Sequence, residues 1–125
     1  MTKWDGYLDA LQVARGLYEF AMSERSYSSL AAFHFASDEM DCFGGPGSTL
    51  MSLFFWVSIF KVGFDRGLSV VGGDEYFLEI CSDVKASLSE FVLQGTDKNR
   101  FDSIELSVFA SDSAFVLCKL DETGV

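Results

Sequence analysis

Three carboxylates recur at every fourth residue in the second half of the chain, where they could bind a cationic partner. They are Glu75, Glu79 and Asp83, and we call this set the acidic stripe. Like charges four residues apart cost an isolated helix about 0.2–0.5 kcal/mol per pair. On a helical wheel the stripe lies opposite an apolar row, Phe77, Ile80, Val84, Leu88 and Phe91. The spacing therefore predicts an amphipathic helix that presents negative charge to a partner.

Six further carboxylates are predicted to extend the negative surface. Asp97, Asp102 and Glu105 follow the stripe in sequence, and we expect them beside it if the segment after the striped helix packs against that helix. Asp38, Glu39 and Asp41 form a separate acidic group near a glycine-rich segment. Complementary charge across an interface raises association rates and selectivity. The six are Asp38, Glu39, Asp41, Asp97, Asp102 and Glu105.

His34 is the only histidine, so any acid–base or metal hypothesis depends on it. In a helix, His34, Asp38 and Asp41 would bring one imidazole and two carboxylates together as a loose metal-ligand set. In a strand these side chains would point to opposite faces and would not converge. A small enzyme or metal site using His34 with Asp38 or Asp41 is thus an alternative, and a structural histidine is the simpler interpretation.

Two other segments lack the residues that chemistry would require. Cys42 lies near His34, but the surrounding carboxylates oppose formation of the thiolate that a nucleophile needs. The segment from Gly44 to Thr49 resembles a phosphate-binding loop in composition only. It has no P-loop lysine, and Pro46 removes a backbone donor. We predict no catalytic residue, no cofactor and no phosphate site here.

Charge excludes some partners and favours others. The 125 residues carry 9 basic and 19 acidic side chains, a net charge of −10. Residues 68–125 account for −7 of this charge and residues 1–67 for −3. Such a surface repels nucleic-acid phosphates and anionic lipid, and it attracts cationic proteins. Acidity also serves solubility, which is the simplest alternative explanation.

The cysteines and the apolar segments bear on location. The three cysteines are far apart and form no C-x-x-C pair, which predicts reduced thiols and a cytoplasmic protein. The amino terminus has no apolar signal segment. The most apolar stretch, residues 50–64, covers 15 residues and contains Lys61. It is shorter than the roughly 20 residues that a membrane span needs, so we interpret it as core.

Periodicity predicts three helices. Residues 3–24 place apolar side chains at helical intervals, and residues 50–64 favour a buried helix over a central strand. Asp74 occupies the position of an N-cap for a third helix that extends to about Val92. Two other segments indicate β-structure. Phe33 and Phe35 alternate around His34 within residues 27–43, which favours a strand, although Leu30, Phe33 and Ala36 would also suit a short helix. Apolar residues alternate on both sides of Ser111-Asp112-Ser113, as in a β-hairpin.

The predicted fold is therefore a single α+β domain over residues 1–125. In it, two or three amphipathic helices pack on a small, mostly antiparallel sheet that includes a C-terminal hairpin. The function that fits best is a non-enzymatic, acidic binding protein that neutralises a basic protein partner. Its most specific form is a bacterial immunity protein that blocks a nuclease toxin. The alternative is an interaction or assembly subunit, a homodimer that buries part of the Phe-rich segment.

Overall fold

Every segment that the structure describes is helical or connects helices. The computed structural model describes residues 6–40, 50–68, 74–94 and 103–124. Within these ranges there are five α-helices and no strand. The helices are α1 (Tyr7–Glu24), α2 (Ser29–Met40), α3 (Leu50–Asp65), α4 (Glu75–Gln94) and α5 (Ser103–Glu122).

Helix α3 forms the centre of the fold. Residues 52–60 are all buried. An ordinary surface helix buries only one of its sides. A helix that is apolar on every side must be covered on every side, and the other four helices all contact α3. The Phe-rich segment is thus enclosed by the chain's own helices. Residues 52–60 therefore offer a second copy of the chain no exposed side chain.

Helix α1 runs beside α3 in the same direction. Tyr7 packs edge-on against Phe54 with ring centroids 5.7 Å apart, and the Tyr18 hydroxyl lies next to Gly63. The buried face of α1 otherwise consists of three alanines, Ala10, Ala14 and Ala21. Small side chains on this face let the two helix backbones approach closely.

Helix α2 returns along α1 and α3. The Ser29 hydroxyl at its start donates to the Arg66 carbonyl at the end of α3 over 3.2 Å. One turn later Phe33 contacts Phe60, with ring centroids 5.4 Å apart. Phe33 is completely buried and joins α2 to the centre of the core.

Two buried tyrosines on α1 differ in their hydrogen bonding. The Tyr7 hydroxyl donates to Asp112 Oδ2 on α5 over 2.5 Å. The Tyr18 hydroxyl is also buried but has no partner among the described residues. Burial, reinforced by the hydrogen bond to Asp112, raises the pKa of Tyr7 well above its usual range. Burial raises the pKa of Tyr18 in the same direction.

The predicted C-terminal hairpin is wrong, because residues 103–122 form the single helix α5. The buried positions Phe109, Asp112, Val116 and Leu120 follow a period of three to four residues, not two. The polar triplet around Asp112 is not a turn. Its central carboxylate is buried and accepts the Tyr7 hydrogen bond. With no glycine or proline in this segment, nothing interrupts the helix.

The strand predicted within residues 27–43 is also wrong over its described part, since residues 29–40 form α2. Phe33 and Phe35 alternate in sequence, but they lie on different sides of α2. Phe33 enters the core, whereas Phe35 packs near the surface against Phe20 and Tyr27. Together these corrections replace the predicted α+β fold with an all-α fold over the described residues.

The three helices predicted from periodicity are confirmed in α1, α3 and α4. The helix predicted over residues 50–64 matches α3, and Asp74 caps α4 as expected. The predicted first helix starts at residue 3, whereas α1 starts at Tyr7, because Gly6 is an N-cap with extended backbone. Residues 1–5 lie outside the described residues. Nowhere in the described chain is a helix both long and apolar enough to cross a lipid bilayer.

Candidate functional site: the acidic face of helix α4

Helix α4 separates an apolar face from an acidic one. Its inward side chains, among them Phe77, Cys81, Val84 and Leu88, are completely buried. The three carboxylates of the acidic stripe are all exposed on the opposite face. Four residues advance about 6 Å along a helix, so the stripe is a regular row of negative charges on a rigid support.

The stripe is not neutralised by the described part of the chain. None of Glu75, Glu79 and Asp83 forms an ion pair there within 4.0 Å. The nearest cation on the helix, Lys85, instead pairs with Asp121 of α5 at 2.9 Å. Among the described residues, the three carboxylates of the stripe thus lie on an exposed surface without an ion-pair partner.

Exposed apolar side chains lie beside the stripe. Tyr76 is 62% exposed and Leu78 is 38% exposed, and both belong to the first turn of α4. Tyrosine is enriched at protein interfaces because it combines a large apolar ring with a polar hydroxyl. The first turn of α4 therefore offers both charge and apolar contact area.

Asp74 connects the stripe with α2. Its Oδ1 accepts the backbone N–H of Phe77 over 2.7 Å and so caps α4. Its Oδ2 lies 3.5 Å from His34 Nε2 on α2. Asp38 is one helical turn beyond His34 and is exposed, as is Glu39. The structure therefore brings His34, one turn before Asp38, to the N-cap of α4, and Asp41 lies outside the described residues.

Glu105 lies elsewhere and has a structural contact of its own. Its Oε1 accepts the backbone N–H of Leu8 over 3.2 Å, at the start of α1. The N-cap position, Gly6, offers no side chain for this purpose, and a Cβ there would lie 2.2 Å from Glu105 Oε1. Glu105 thus caps α1 from a distant part of the sequence. Asp97 and Asp102 lie outside the described residues.

The described side chains do not form a metal site. No group of three or more histidine, cysteine, aspartate or glutamate side chains in these ranges could hold an ion. His34 and Asp38 do share a helix, but the carboxylate that His34 contacts is that of Asp74, whose other oxygen caps α4. Cys81 is buried in the core, and burial raises its pKa to about 12. Such a thiol is a packing group, not a nucleophile.

Sequence reasoning recognised Asp74 as a cap but missed its contact with His34. It also missed Tyr76 and Leu78 as exposed neighbours of the stripe. The exposure of Tyr76 and Leu78 could have been predicted from the sequence, since both side chains fall outside the apolar row of α4. The His34 contact could not, because it depends on how α2 packs against α4.

Comparison with known proteins supplies no relative. No protein-family model, curated protein or solved structure matches this chain.

Replacing Asp74 with alanine should destabilise the protein by about 1 kcal/mol, because α4 loses its N-cap. Asp74→Asn should cost much less, since asparagine caps equally well. Urea unfolding followed by circular dichroism measures both changes. Asp83→Ala is the matched control, an exposed carboxylate of the same helix that caps nothing. An Asp74→Ala variant as stable as Asp83→Ala would contradict the capping role.

Proposed function

We propose that this chain is a protein-binding domain that neutralises a basic protein, with the acidic face of α4 as its docking surface. The single observation that supports the proposal is the exposed stripe of Glu75, Glu79 and Asp83, which the described residues leave without an ion-pair partner. A partner with a complementary basic surface would remove the repulsion within this row, because its cations would lie between the carboxylates.

The apolar neighbours support a protein partner in particular. Charge steers two proteins together, but affinity depends on a few well-packed side chains near the centre of the interface. Tyr76 and Leu78 can supply that contact next to the charged row. The net charge of −10 opposes binding to nucleic acid or to an anionic membrane.

The most specific form of this proposal is a bacterial immunity protein that blocks a nuclease toxin. A nuclease cleft is positively charged because it binds phosphates, and the same cleft attracts a row of carboxylates on a rigid helix. Occupation of the cleft by α4 would exclude the nucleic acid. We place this role in the cytoplasm, where thiols such as the free Cys81 and Cys118 remain reduced.

The test is capture from the native cell at low salt, with the purified chain as bait, followed by kinetics with the captured protein. Reversal of the stripe in Glu75→Lys/Glu79→Lys/Asp83→Lys should slow association about tenfold, because the steering charge is lost. The rate for the unmodified chain should fall as salt screens the interaction. If the partner is a nuclease, the same variant should inhibit it less.

A control variant separates local charge from net charge. Asp9→Lys/Glu24→Lys/Glu122→Lys changes the net charge equally but leaves α4 intact, and all three residues are exposed. This variant should associate faster than the stripe variant, with circular dichroism showing that both remain folded. Equal rates for the two variants, or a partner that is acidic, would contradict the proposal.

A further inference from the structure

The outer face of α1 carries a groove that the described residues do not fill. One row of side chains, Leu8, Gln12, Gly16 and Phe20, is spaced four residues apart, and a second row, Leu11, Arg15, Glu19 and Ser23, runs parallel to it. A groove of about 540 Å³ lies between these rows. Leu8 is 40% exposed and Phe20 is 43% exposed. Rows of this spacing form the ridges and grooves by which two helices pack.

The described residues give no packing reason for a glycine at position 16. A Cβ at this position would meet no described atom within 4 Å, and the backbone there is ordinary helix. Glycine in the middle of a helix costs about 0.5–1 kcal/mol relative to alanine. A second helix crossing at this point would supply a reason for glycine, because the absence of a side chain lets two backbones approach closely.

The charge around α1 also differs from that of the rest of the molecule. The acidic side chains of α1 itself, Asp9, Glu19 and Glu24, are matched by Arg15, Arg25 and the adjacent Arg66, and the Glu105 carboxylate at the start of α1 adds one further negative charge. In a chain of net charge −10, two identical copies repel each other only weakly across this nearly neutral face.

The charges on this face are also complementary to themselves. Arg15 is exposed and has no carboxylate within 4.0 Å among the described residues. Glu19 lies one turn further along and is held by Arg66 at 2.6 Å. A carboxylate accepts more than one guanidinium. When two α1 helices cross antiparallel, each Arg15 faces the other copy's Glu19, which is the reciprocity of a twofold interface.

From these observations we infer that the occupant of the groove is a second copy of this chain, bound as a twofold symmetric dimer through α1 near Gly16. The main neighbours of α1 are α2, α3 and α5, so the acidic face of α4 stays exposed in this dimer. The dimer is thus independent of the proposed partner binding, and either can fail without the other.

Sedimentation equilibrium of the full chain from about 1 to about 200 µM, in reductant because Cys118 is exposed, tests this inference. The unmodified chain should show a reversible monomer–dimer equilibrium. Gly16→Leu should fill the crossing point, and Arg15→Glu should place like charges across it. Each should raise the dimer dissociation constant at least about tenfold. Lys119→Glu on α5 is the control with the same charge change, and it should leave the dimer intact.

Mixing two charge variants tests the symmetry directly. Arg15→Glu and Glu19→Arg should each be monomeric alone, yet an equimolar mixture should form a heterodimer, because both 15–19 contacts then join a carboxylate of the first variant to a guanidinium of the second. Loss of the Arg66 contact in Glu19→Arg is a surface change of less than about 1 kcal/mol, so the variant should fold. A monomeric unmodified chain, a dimer unaffected by Gly16→Leu and Arg15→Glu, or a mixture that stays monomeric would each overturn the inference.

Discussion

Phe33→Ala should destabilise the protein by about 3–5 kcal/mol, the largest effect that we expect from a single substitution. Phe33 is completely buried, and its ring lies 4.7 Å from that of Phe77, 5.4 Å from Phe60 and 6.0 Å from Trp56, centroid to centroid. Truncation removes contacts with both α3 and α4 and leaves a cavity between three helices. The whole stability of a domain is only about 5–15 kcal/mol, so this variant should be close to unfolding.

Urea unfolding, followed by circular dichroism and tryptophan fluorescence, measures this loss. Phe20→Ala is the matched control, because Phe20 is 43% exposed on α1 and its ring lies beside Phe35 of α2 and the Arg25 guanidinium, near the surface. It should cost about 1 kcal/mol or less. Phe33→Leu should recover most of the loss, since it refills the volume. If Phe33→Ala and Phe20→Ala lowered stability equally little, the packing of Phe33 between α3 and α4 would be contradicted.

Tyr7→Phe should lower the free energy of unfolding, whereas Tyr18→Phe should leave it unchanged or raise it. Both substitutions remove one buried hydroxyl from the same face of α1. Without the Tyr7 hydroxyl, the Asp112 carboxylate loses its donor while it remains 8% exposed. A hydrogen bond to a charged group contributes about 1.5–3 kcal/mol, so Tyr7→Phe should cost about that amount. Tyr18→Phe removes a hydroxyl that is unpaired in the described structure, so it should be neutral or stabilising.

A double variant identifies the cause. In Tyr7→Phe/Asp112→Leu both polar partners are replaced by apolar groups, so the combined loss should be smaller than the sum of the single losses. Additive losses in denaturant unfolding would show that Tyr7 and Asp112 do not act as a pair. Equal losses for Tyr7→Phe and Tyr18→Phe would contradict the difference in their hydrogen bonding.

Alkaline titration provides a second readout for the tyrosines. Burial raises the pKa of Tyr7 and of Tyr18 above the value of 10.0 that a tyrosine has when solvated. Above that pH the unfolded chain releases both phenolic protons while the folded chain retains them, so stability should fall as pH rises. Below it both states are protonated and the tyrosines add no pH dependence. Tyr18→Phe should make the alkaline fall shallower by the contribution of one proton.

The sequence was a good guide where one long helix has one clearly apolar side. In α1 and α4, apolar residues recur over four or more turns, and a period of 3.6 is then distinct from any other. The acidic stripe could be placed on the outer face of α4 for the same reason. Helix α3 was favoured over a central strand because Leu53, Trp56, Val57, Phe60 and Phe64 cluster on one side of a helical wheel.

Short segments were ambiguous because periods of two and of 3.6 coincide over a few residues. Phe33 and Phe35 alternate as strand residues do, and only packing against α3 and α1 shows that they belong to different sides of a helix. In α5, the polar triplet around Asp112 has the composition of a turn. Its burial depends on Tyr7, which is 105 residues away in sequence.

The sequence by itself determined the net charge of −10, the long amphipathic helices and the row of carboxylates on α4, because these depend on composition and on local periodicity alone. The tertiary structure decided the all-α fold of the described residues. It also decided the roles of Asp112, Glu105 and Asp74, which accept hydrogen bonds from Tyr7, from Leu8 and from Phe77. From its sequence position alone, a carboxylate could be solvated, could cap a helix or could accept a hydrogen bond from a buried donor. The packing of helices that are distant along the chain decides which of these environments it has.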